Sequence, residues 1–207
     1  MTERLEDGLA AAGLALAIES AAIAGSAART VGGLTAALRL ISSTSGRVVV
    51  SGLGKSGHIG GKIAATLAST GTRALFVHSA EALHGDSGMA APGDVGLLIS
   101  YSGRTAEVCQ FGRMLKVRDI PVVAMTGRED SPLRALADVW LSIAVDREAD
   151  PLGLAPTAST AVTLALGDAL AAGLMAMSGF GPADFARFHP GGSLGEDLGA
   201  SPRAVAR

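Results

Sequence analysis

The chain has 207 residues, of which 17 are Lys or Arg and 19 are Asp or Glu, so charged residues make up 17% of it. Soluble domains ordinarily carry about 25%, and a hydrophobic content of 48% excludes intrinsic disorder. A formal net charge of −2 and an aromatic content of 3% argue against nucleic acid as a partner, because the chain offers neither a positive field nor a stacking platform. The composition is that of one compact domain with a sizeable core.

The amino-terminal region is rich in Ala and Leu at helical spacing. It divides into residues 3–24 and 30–43 at a small polar break around Gly25 and Ser26, and this pattern predicts two antiparallel helices. Acidic residues stand where a secretory signal would be basic, which argues against export. The single Cys109 can form no internal disulfide, so the sequence favours a reducing, cytoplasmic location.

From Arg47 onward, short β-branched runs alternate with helical stretches. The runs cover 47–52, 73–79, 94–103, 120–127 and 138–145. Apolar strands joined through helices predict a doubly wound α/β fold with a five-stranded parallel sheet, because both faces of such a sheet are covered. Ligands bind such sheets at the carboxyl ends of the strands, where the strand order reverses. The loops at those ends therefore form the candidate site.

The most apolar segment, residues 157–179, is close to the length of a membrane span. Asp168 lies near its middle, and the segment is rich in Ala and Gly rather than in Leu, Ile and Phe. These features predict a buried or interface helix, and no membrane partner is expected.

Gly, Ser and Thr crowd three of the four loops at predicted strand ends. These three are SGLGKSG at 51–57, SYSGRTAE at 100–107 and TGRED at 126–130, whereas HSAEALHGD at 78–86 is the exception. Small residues allow backbone N–H groups to approach a ligand closely, and hydroxyls at the start of a helix favour a phosphate. The candidate phosphate and sugar ligands are Gly54, Ser56, Ser100, Ser102, Gly103 and Thr105.

Two nucleotide-binding motifs overlap the first loop. Its glycines have the spacing G-x-G-x-x-G of a dinucleotide fingerprint, but the second predicted strand ends at His78 and Ser79 rather than at the acidic residue that would hold a ribose. The GKS at 54–56 is typical of a Walker A loop, but Val49 stands where that motif has its first glycine. Both nucleotide sites are therefore disfavoured.

Several blocks of the sequence, taken together, point to one family: GLGKSGH, HSAEALHGDSGM, SYSGRTAE, DPLGLAPTAST and FARFHPGGSLG. In this order, from about residue 46 to 195, the chain resembles the sugar isomerase (SIS) domain of D-arabinose 5-phosphate isomerases. The resemblance implies a flavodoxin-like fold and the interconversion of D-ribulose 5-phosphate and D-arabinose 5-phosphate, for synthesis of Kdo and lipopolysaccharide. It implies a sugar phosphate as the partner and no organic cofactor.

By position, the family's functional residues fall on Lys55, His84, Glu107 and His189. Isomerisation through an enediol needs a base over a carbon, a proton carrier for two oxygens and a group that stabilises negative charge. Glu107 or a histidine is the candidate base, the two histidines are candidate proton carriers, and Lys55 would contact sugar oxygens or the phosphate. The resemblance places His189, in its Pro/Gly-rich tail, at a neighbouring subunit's site. His78 is a lesser candidate, near the sugar or for a divalent metal, although no spacing specifies a metal site.

Two positions depart from the family pattern. Where members often read S-N-S-G-E, this chain has Tyr101 and Arg104, which leaves the preferred sugar open. One alternative is an isomerase for another ketose phosphate, such as 3-hexulose 6-phosphate. The other alternative is a non-catalytic, sugar-phosphate-binding regulatory module, since a fold alone does not establish a function.

The expected organisation is a set of amino-terminal helices at 1–45, the SIS domain at 46–199 and a tail at 200–207. Family members usually continue into a pair of CBS domains, and a form without CBS domains is expected here. The apolar excess is concentrated in the amino-terminal helices and in 157–178, so these helices are predicted to form subunit interfaces. The family suggests a homotetramer, and a homodimer with shared active sites is the alternative.

Overall fold

A computed structural model describes residues 2–190 of the chain. Five parallel strands form its sheet: β1 (Val48–Gly52), β2 (Ala74–His78), β3 (Val95–Ile99), β4 (Val122–Thr126) and β5 (Val139–Ser142). Their order in the sheet is β2-β1-β3-β4-β5, so the direction of winding reverses between β1 and β3. The predicted doubly wound parallel sheet is confirmed.

Helices cover both faces of this sheet. Within the described residues they are α1 (Thr2–Ser42), α2 (Gly54–Ser69), α3 (Ser79–Ala82), α4 (Ala106–Val117), α5 (Pro132–Leu136), α6 (Ala158–Ser178) and α7 (Pro182–Phe188). A 3₁₀ turn covers Asp86–Met89. Helices α1, α2 and α6 pack on one face, and α3, α4 and α5 pack on the other.

Alternation of side chains buries the central strands on both faces. Along β1, Val48 and Val50 join the core beneath α2 and α6, whereas Val49 joins the core beneath α4. Every residue of β1, β3 and β4 is buried. Because each buried Val or Leu side chain contributes about 1.5–3 kcal/mol, these three strands hold the loops at their carboxyl ends in fixed positions.

The amino-terminal region forms one continuous helix of 41 residues, so the prediction of two helices with a break at Gly25 and Ser26 was wrong. The Ser26 hydroxyl donates to the carbonyl oxygen of Ile23 at 2.7 Å, and the Thr30 hydroxyl donates to that of Ser26 at 2.8 Å. These hydroxyls find partners inside the helix, so they do not require a turn. A helical glycine costs only about 1 kcal/mol relative to alanine, which the neighbouring turns outweigh.

The two halves of α1 have different surroundings. The carboxyl-terminal half packs against β5 and α6, where a Cβ on Gly33 would collide with the carbonyl oxygen of Trp140. The amino-terminal half keeps its apolar side chains exposed, and Leu16, for example, is 73% exposed. None of the described residues covers this apolar stretch.

Helices α1 and α6 both have the length and composition of a membrane span. In α6, however, side chains such as Val162, Leu166 and Leu170 are buried in the core. Asp168 of α6 forms an ion pair with Lys62 of α2. The prediction of a buried or interface helix for 157–179 is therefore confirmed by α6.

Candidate active site

The carboxyl ends of the strands lie in register along one edge of the sheet. Gly52 of β1 stands beside His78 of β2 on one side and beside Ile99 of β3 on the other. Further along, Thr126 of β4 stands beside Ser142 of β5. The loops that follow these strands therefore meet at a single edge, as the sequence predicts.

A cavity of about 220 Å³ opens at this edge, between the first turns of α2 and α6. It is lined by Leu53, Lys55, Ser56, Tyr101, Ile143, Pro156, Ser159, Thr160 and Thr163. Helix α2 has no side-chain cap and no acidic residue in its first turn, so its first N–H groups remain available to a ligand. Together with the exposed Lys55 ammonium, they make this wall of the cavity suited to an anion.

The loop at 100–105 is shaped by its own polar groups. The Ser100 hydroxyl is buried and lies 2.9 Å from the hydroxyl of Thr105, across the base of the loop. Gly103 has a φ of 63° and donates its N–H to the carbonyl oxygen of Ser100 at 3.0 Å. Ser102 is exposed, and its hydroxyl accepts from the N–H of Arg104 at 3.2 Å. The loop is thus preorganised, and Tyr101 is its residue in the cavity wall.

A second segment braces this loop from behind. The carbonyl oxygen of Tyr101 accepts from the N–H of Gly127 at 2.9 Å and from the hydroxyl of Thr126 at 3.1 Å. The carbonyl oxygen of Gly103 accepts from the N–H of Leu133 at 3.0 Å. A Cβ on Gly103 would collide with the side chain of Ser131, so this position requires glycine both for its φ and for space. The loop TGRED at 126–130, which follows β4, therefore supports the loop at 100–105.

Lys55 and Ser56 line the cavity. Glu107 and His84 lie on the opposite face of the sheet, near the carboxyl ends of the strands. Glu107 is the second residue of α4 and is half-buried. His84 is exposed, follows α3 and donates its backbone N–H to the carbonyl oxygen of Glu81 at 2.9 Å. Helix α3 packs beside α4, so Glu107 and His84 belong to neighbouring elements at the same edge of the sheet as the cavity.

His78 ends β2, the outermost strand on one side of the sheet, beside Gly52 of β1. Its Nδ1 is buried and has no hydrogen-bond partner among the described residues, and its ring meets the edge of Phe76 at 6.5 Å between centroids. Within residues 2–190, no three His, Cys, Asp or Glu side chains are grouped closely enough to hold a metal ion. His78 therefore has no companion ligands in the described part of the chain.

His189 lies far from Lys55 in the same chain. Helix α6 starts in the cavity wall and runs for 21 residues, or roughly 30 Å, away from it. Phe180, just beyond α6, packs on Gly71 at the far end of α2. Helix α7 has seven residues and spans about 10 Å, too little to bring His189 back to the cavity. His189 is stacked on Phe185 at 3.8 Å between centroids, and the tail predicted at 200–207 lies outside the described residues.

Glu148, which the sequence reasoning missed, organises the start of α6. Its Oε2 accepts from the N–H of Thr157 at 2.8 Å, from that of Ser159 at 3.1 Å and from the Thr157 hydroxyl at 3.2 Å. Burial raises the pKa of the Glu148 carboxyl, but the hydrogen bonds from Ser159 and Thr157 outweigh it and hold this pKa below its usual range. Glu148 thus caps α6 although it lies nine residues before Thr157. Capping motifs that can be recognised in a sequence span only about three residues, so this cap could not be predicted.

The loop between Glu148 and α6 has a similar anchor. The Asp150 carboxylate accepts from the N–H groups of Leu152, Leu154 and Ala155 at 2.8–2.9 Å. These bonds hold the pKa of Asp150 below its usual range. The loop leads directly to Pro156 in the cavity wall, so Glu148 and Asp150 together fix that wall.

We expect the stabilising effect of Glu148 to depend on pH. Its folded-state pKa is lower than its unfolded-state pKa, so its contribution is complete at neutral pH and is lost as the pH falls through the folded-state value. At pH 7, Glu148→Gln should cost about 1 kcal/mol, as loss of a helix cap does, and lower Tm by about 2–4 °C. The difference in Tm from wild type should shrink below about pH 4.

Thermal unfolding followed by circular dichroism tests this expectation. Glu129→Gln is the matched control, because Glu129 is exposed and makes no side-chain hydrogen bond among the described residues. A Tm difference for Glu148→Gln that stays as large well below about pH 4 as it is at pH 7 would contradict the assignment of the carboxylate as the cap.

Comparisons with known proteins agree with this geometry. Residues 40–173 match the family model of the SIS domain. Over 162 residues the chain is 55% identical to arabinose 5-phosphate isomerase KdsD of Pseudomonas aeruginosa and 56% identical to arabinose 5-phosphate isomerase GutQ of Escherichia coli K12. Each alignment covers 78% of this chain and 50% of the relative, so the chain spans about half the length of the curated relatives it matches.

A solved structure covers more of the chain. The protein c3406 of E. coli CFT073, in complex with arabinose 5-phosphate, superposes with a TM-score of 0.85 at 39% sequence identity. The match covers 89% of this chain and 98% of that one.

Proposed function

The chain belongs to the SIS domain family, and from this premise we propose that it is an aldose–ketose isomerase that interconverts D-ribulose 5-phosphate and D-arabinose 5-phosphate. The observation that carries the proposal is the cavity at the sheet edge, with Lys55, Ser56 and the uncapped start of α2 in its wall. The arabinose 5-phosphate bound to the similar protein c3406 supports the choice of substrate. The names of the two isomerases that are more than half identical support the choice of reaction.

The phosphate is held by geometry rather than by a general positive field. The chain's net charge is −2, so attraction comes from the N–H groups of α2, from Lys55 and from hydroxyls of the strand-end loops. Gly54, with a φ of 57° and open space around its Cα, lets the backbone approach a ligand at this point. Gly103 keeps the loop at 100–105 in the conformation that presents Ser102 and Thr105 at the same edge.

The chemistry is a proton transfer between two adjacent carbons. We assign Glu107 as the base that removes the proton from the carbon beside the carbonyl, forming an enediolate, and returns it to the neighbouring carbon. His84 and His189 move the hydroxyl proton between the two oxygens, since imidazole exchanges protons near neutral pH. Lys55 stabilises the negative charge on the enediolate oxygens. No cofactor enters this sequence of steps.

The active site is shared between subunits. His189 is separated from the cavity of its own chain by the length of α6, so a second copy must supply it. The exposed apolar half of α1 offers the surface on which copies associate. We propose a homo-oligomer, a tetramer or a dimer, that acts in the cytoplasm and supplies arabinose 5-phosphate for Kdo and lipopolysaccharide precursors.

The test is direct conversion. Purified protein is incubated with D-ribulose 5-phosphate, and the products are separated by anion-exchange chromatography. We expect arabinose 5-phosphate to accumulate to an equilibrium that is also reached from the opposite direction. A panel that adds 3-hexulose 6-phosphate distinguishes another ketose-phosphate isomerase. Calorimetric binding of the sugar phosphates without any turnover would instead identify a regulatory module.

A further inference from the structure

Tyr101 is the chain's one tyrosine, and it lies in the wall of the candidate cavity. It follows Ser100 at the carboxyl end of β3 and is half-buried. The other aromatic side chains are few, with five Phe and one Trp in the whole chain. Apart from Lys55, the other residues that line the cavity are aliphatic or carry hydroxyls. A phenol ring at this place is therefore the largest rigid group that a bound sugar would meet.

The surrounding backbone fixes the position of Tyr101. Its carbonyl oxygen accepts from the N–H of Gly127 and the hydroxyl of Thr126, at 2.9 and 3.1 Å. Its ring lies so close to Gly127 that a Cβ there would stand 2.7 Å from Cε2. Below the cavity, the ring also packs against the core shared by α2 and α6. With its backbone bonded and one side of its ring covered, Tyr101 has little freedom to move aside for a larger ligand.

The cavity is small, so the Tyr101 side chain limits the length of a sugar that fits in it. Its volume of about 220 Å³ is below the usual range for ligand sites of about 300–1,000 Å³. Lys55 and Ser56 on α2 occupy one side, and Ser159 and Thr160 on α6 occupy another. Both helices are anchored, since Lys62 of α2 and Asp168 of α6 form an ion pair. Extra length in a sugar bound at the first turn of α2 has to be accommodated against the ring of Tyr101.

We propose that Tyr101 is a substrate-contacting residue that sets the carbon-chain length of the sugar phosphate, so that five-carbon ketose phosphates are accepted and six-carbon ones are rejected. This inference rests on the proposed isomerase function. Its ring acts as a wall, and its hydroxyl bonds to a sugar hydroxyl. A wall that excludes one additional carbon unit discriminates by about 10–200-fold.

Three variants separate the wall from the hydroxyl. Tyr101→Ala removes the ring, Tyr101→Leu keeps the apolar packing on the core but shortens the side chain, and Tyr101→Phe keeps the wall and removes the hydroxyl. The measured quantity is the ratio of kcat/KM for D-ribulose 5-phosphate to kcat/KM for 3-hexulose 6-phosphate. We expect this ratio to fall at least about tenfold in the Ala and Leu variants and to stay within about threefold in the Phe variant. Thermal unfolding confirms that each variant is folded.

The presence of one tyrosine provides a readout that does not depend on turnover. Protein labelled with ¹³C-tyrosine gives ring resonances from Tyr101 alone, and we expect these to shift on titration with arabinose 5-phosphate. Binding shown by calorimetry with unshifted ring resonances would overturn the proposal. So would turnover of both sugars with a ratio unchanged in folded Ala and Leu variants. Absence of turnover with every ketose phosphate would instead overturn the proposed function, and this inference with it.

Discussion

Replacing Glu107 with Gln should lower kcat for the interconversion of ribulose 5-phosphate and arabinose 5-phosphate by about 10²–10⁴-fold, the usual contribution of a general base. Gln has the shape of Glu and keeps the first turn of α4, but its amide cannot accept a proton from carbon. Because the proposed substrate binding depends on the phosphate-binding groups at the start of α2, KM should change by less than about threefold. Steady-state kinetics in both directions provides the measurement.

The control for this variant is Glu81→Gln. Glu81 is an exposed acid on α3, the helix that packs beside α4, so the same charge is removed in the same neighbourhood. Its kcat should stay within about threefold of wild type. If folded Glu107→Gln protein retained full activity, the base would have to be a histidine, and the assignment of Glu107 would be wrong.

The fold could be predicted from the sequence because its signals are local. The valines of β1 and the alternating apolar residues of β3 and β4 mark buried strands within five residues each. Parallel strands joined through helices bring their carboxyl ends to one edge, and that argument alone places the loops at 51–57 and 100–107 together. The cavity wall that contains Lys55 and Ser56 follows from it.

The errors and omissions come from contacts that sequence patterns do not record. A helix break was predicted at Gly25 and Ser26, yet the Ser26 hydroxyl finds its partner three residues earlier in the same helix. The hydroxyls of Ser100 and Thr105 bond to each other, which the sequence does not predict, and their role as phosphate ligands stays a prediction. The sequence marks a residue as polar without specifying which polar neighbour it satisfies.

The bracing contacts are also long-range. Thr126 reaches Tyr101 across 25 residues, and Glu148 reaches Ser159 across 11. Each contact depends on two loops that meet only after the sheet has formed. Thr126 and Glu148 do not contact the sugar in the proposed reaction, but they fix the positions of residues that do. Sequence motifs for ligand contacts therefore do not identify them.

Because His189 lies far from the cavity of its own chain, we expect two inactive variants to restore activity when they are mixed. If Glu107 of one subunit and His189 of another complete each site, two inactive variants should restore each other's activity when their subunits are mixed. His189→Ala and Glu107→Gln each lose activity in every site of their own oligomers. In a mixed dimer, one site receives both mutations and the other receives neither. Random reassociation of equal amounts should therefore give about one quarter of wild-type activity, because half of the dimers are mixed and half of their sites are intact.

The experiment requires subunits that exchange, so the two variants are unfolded together in urea and refolded, with each variant refolded alone as the control. Recovery of about one quarter of wild-type activity in the mixture, with none in the controls, is the expected result. If each chain instead built its site from its own His189, every site in the mixture would carry one mutation and activity would stay at the level of the separate variants. That outcome would overturn the shared site, because His189 would then reach the cavity of its own chain despite the length of α6.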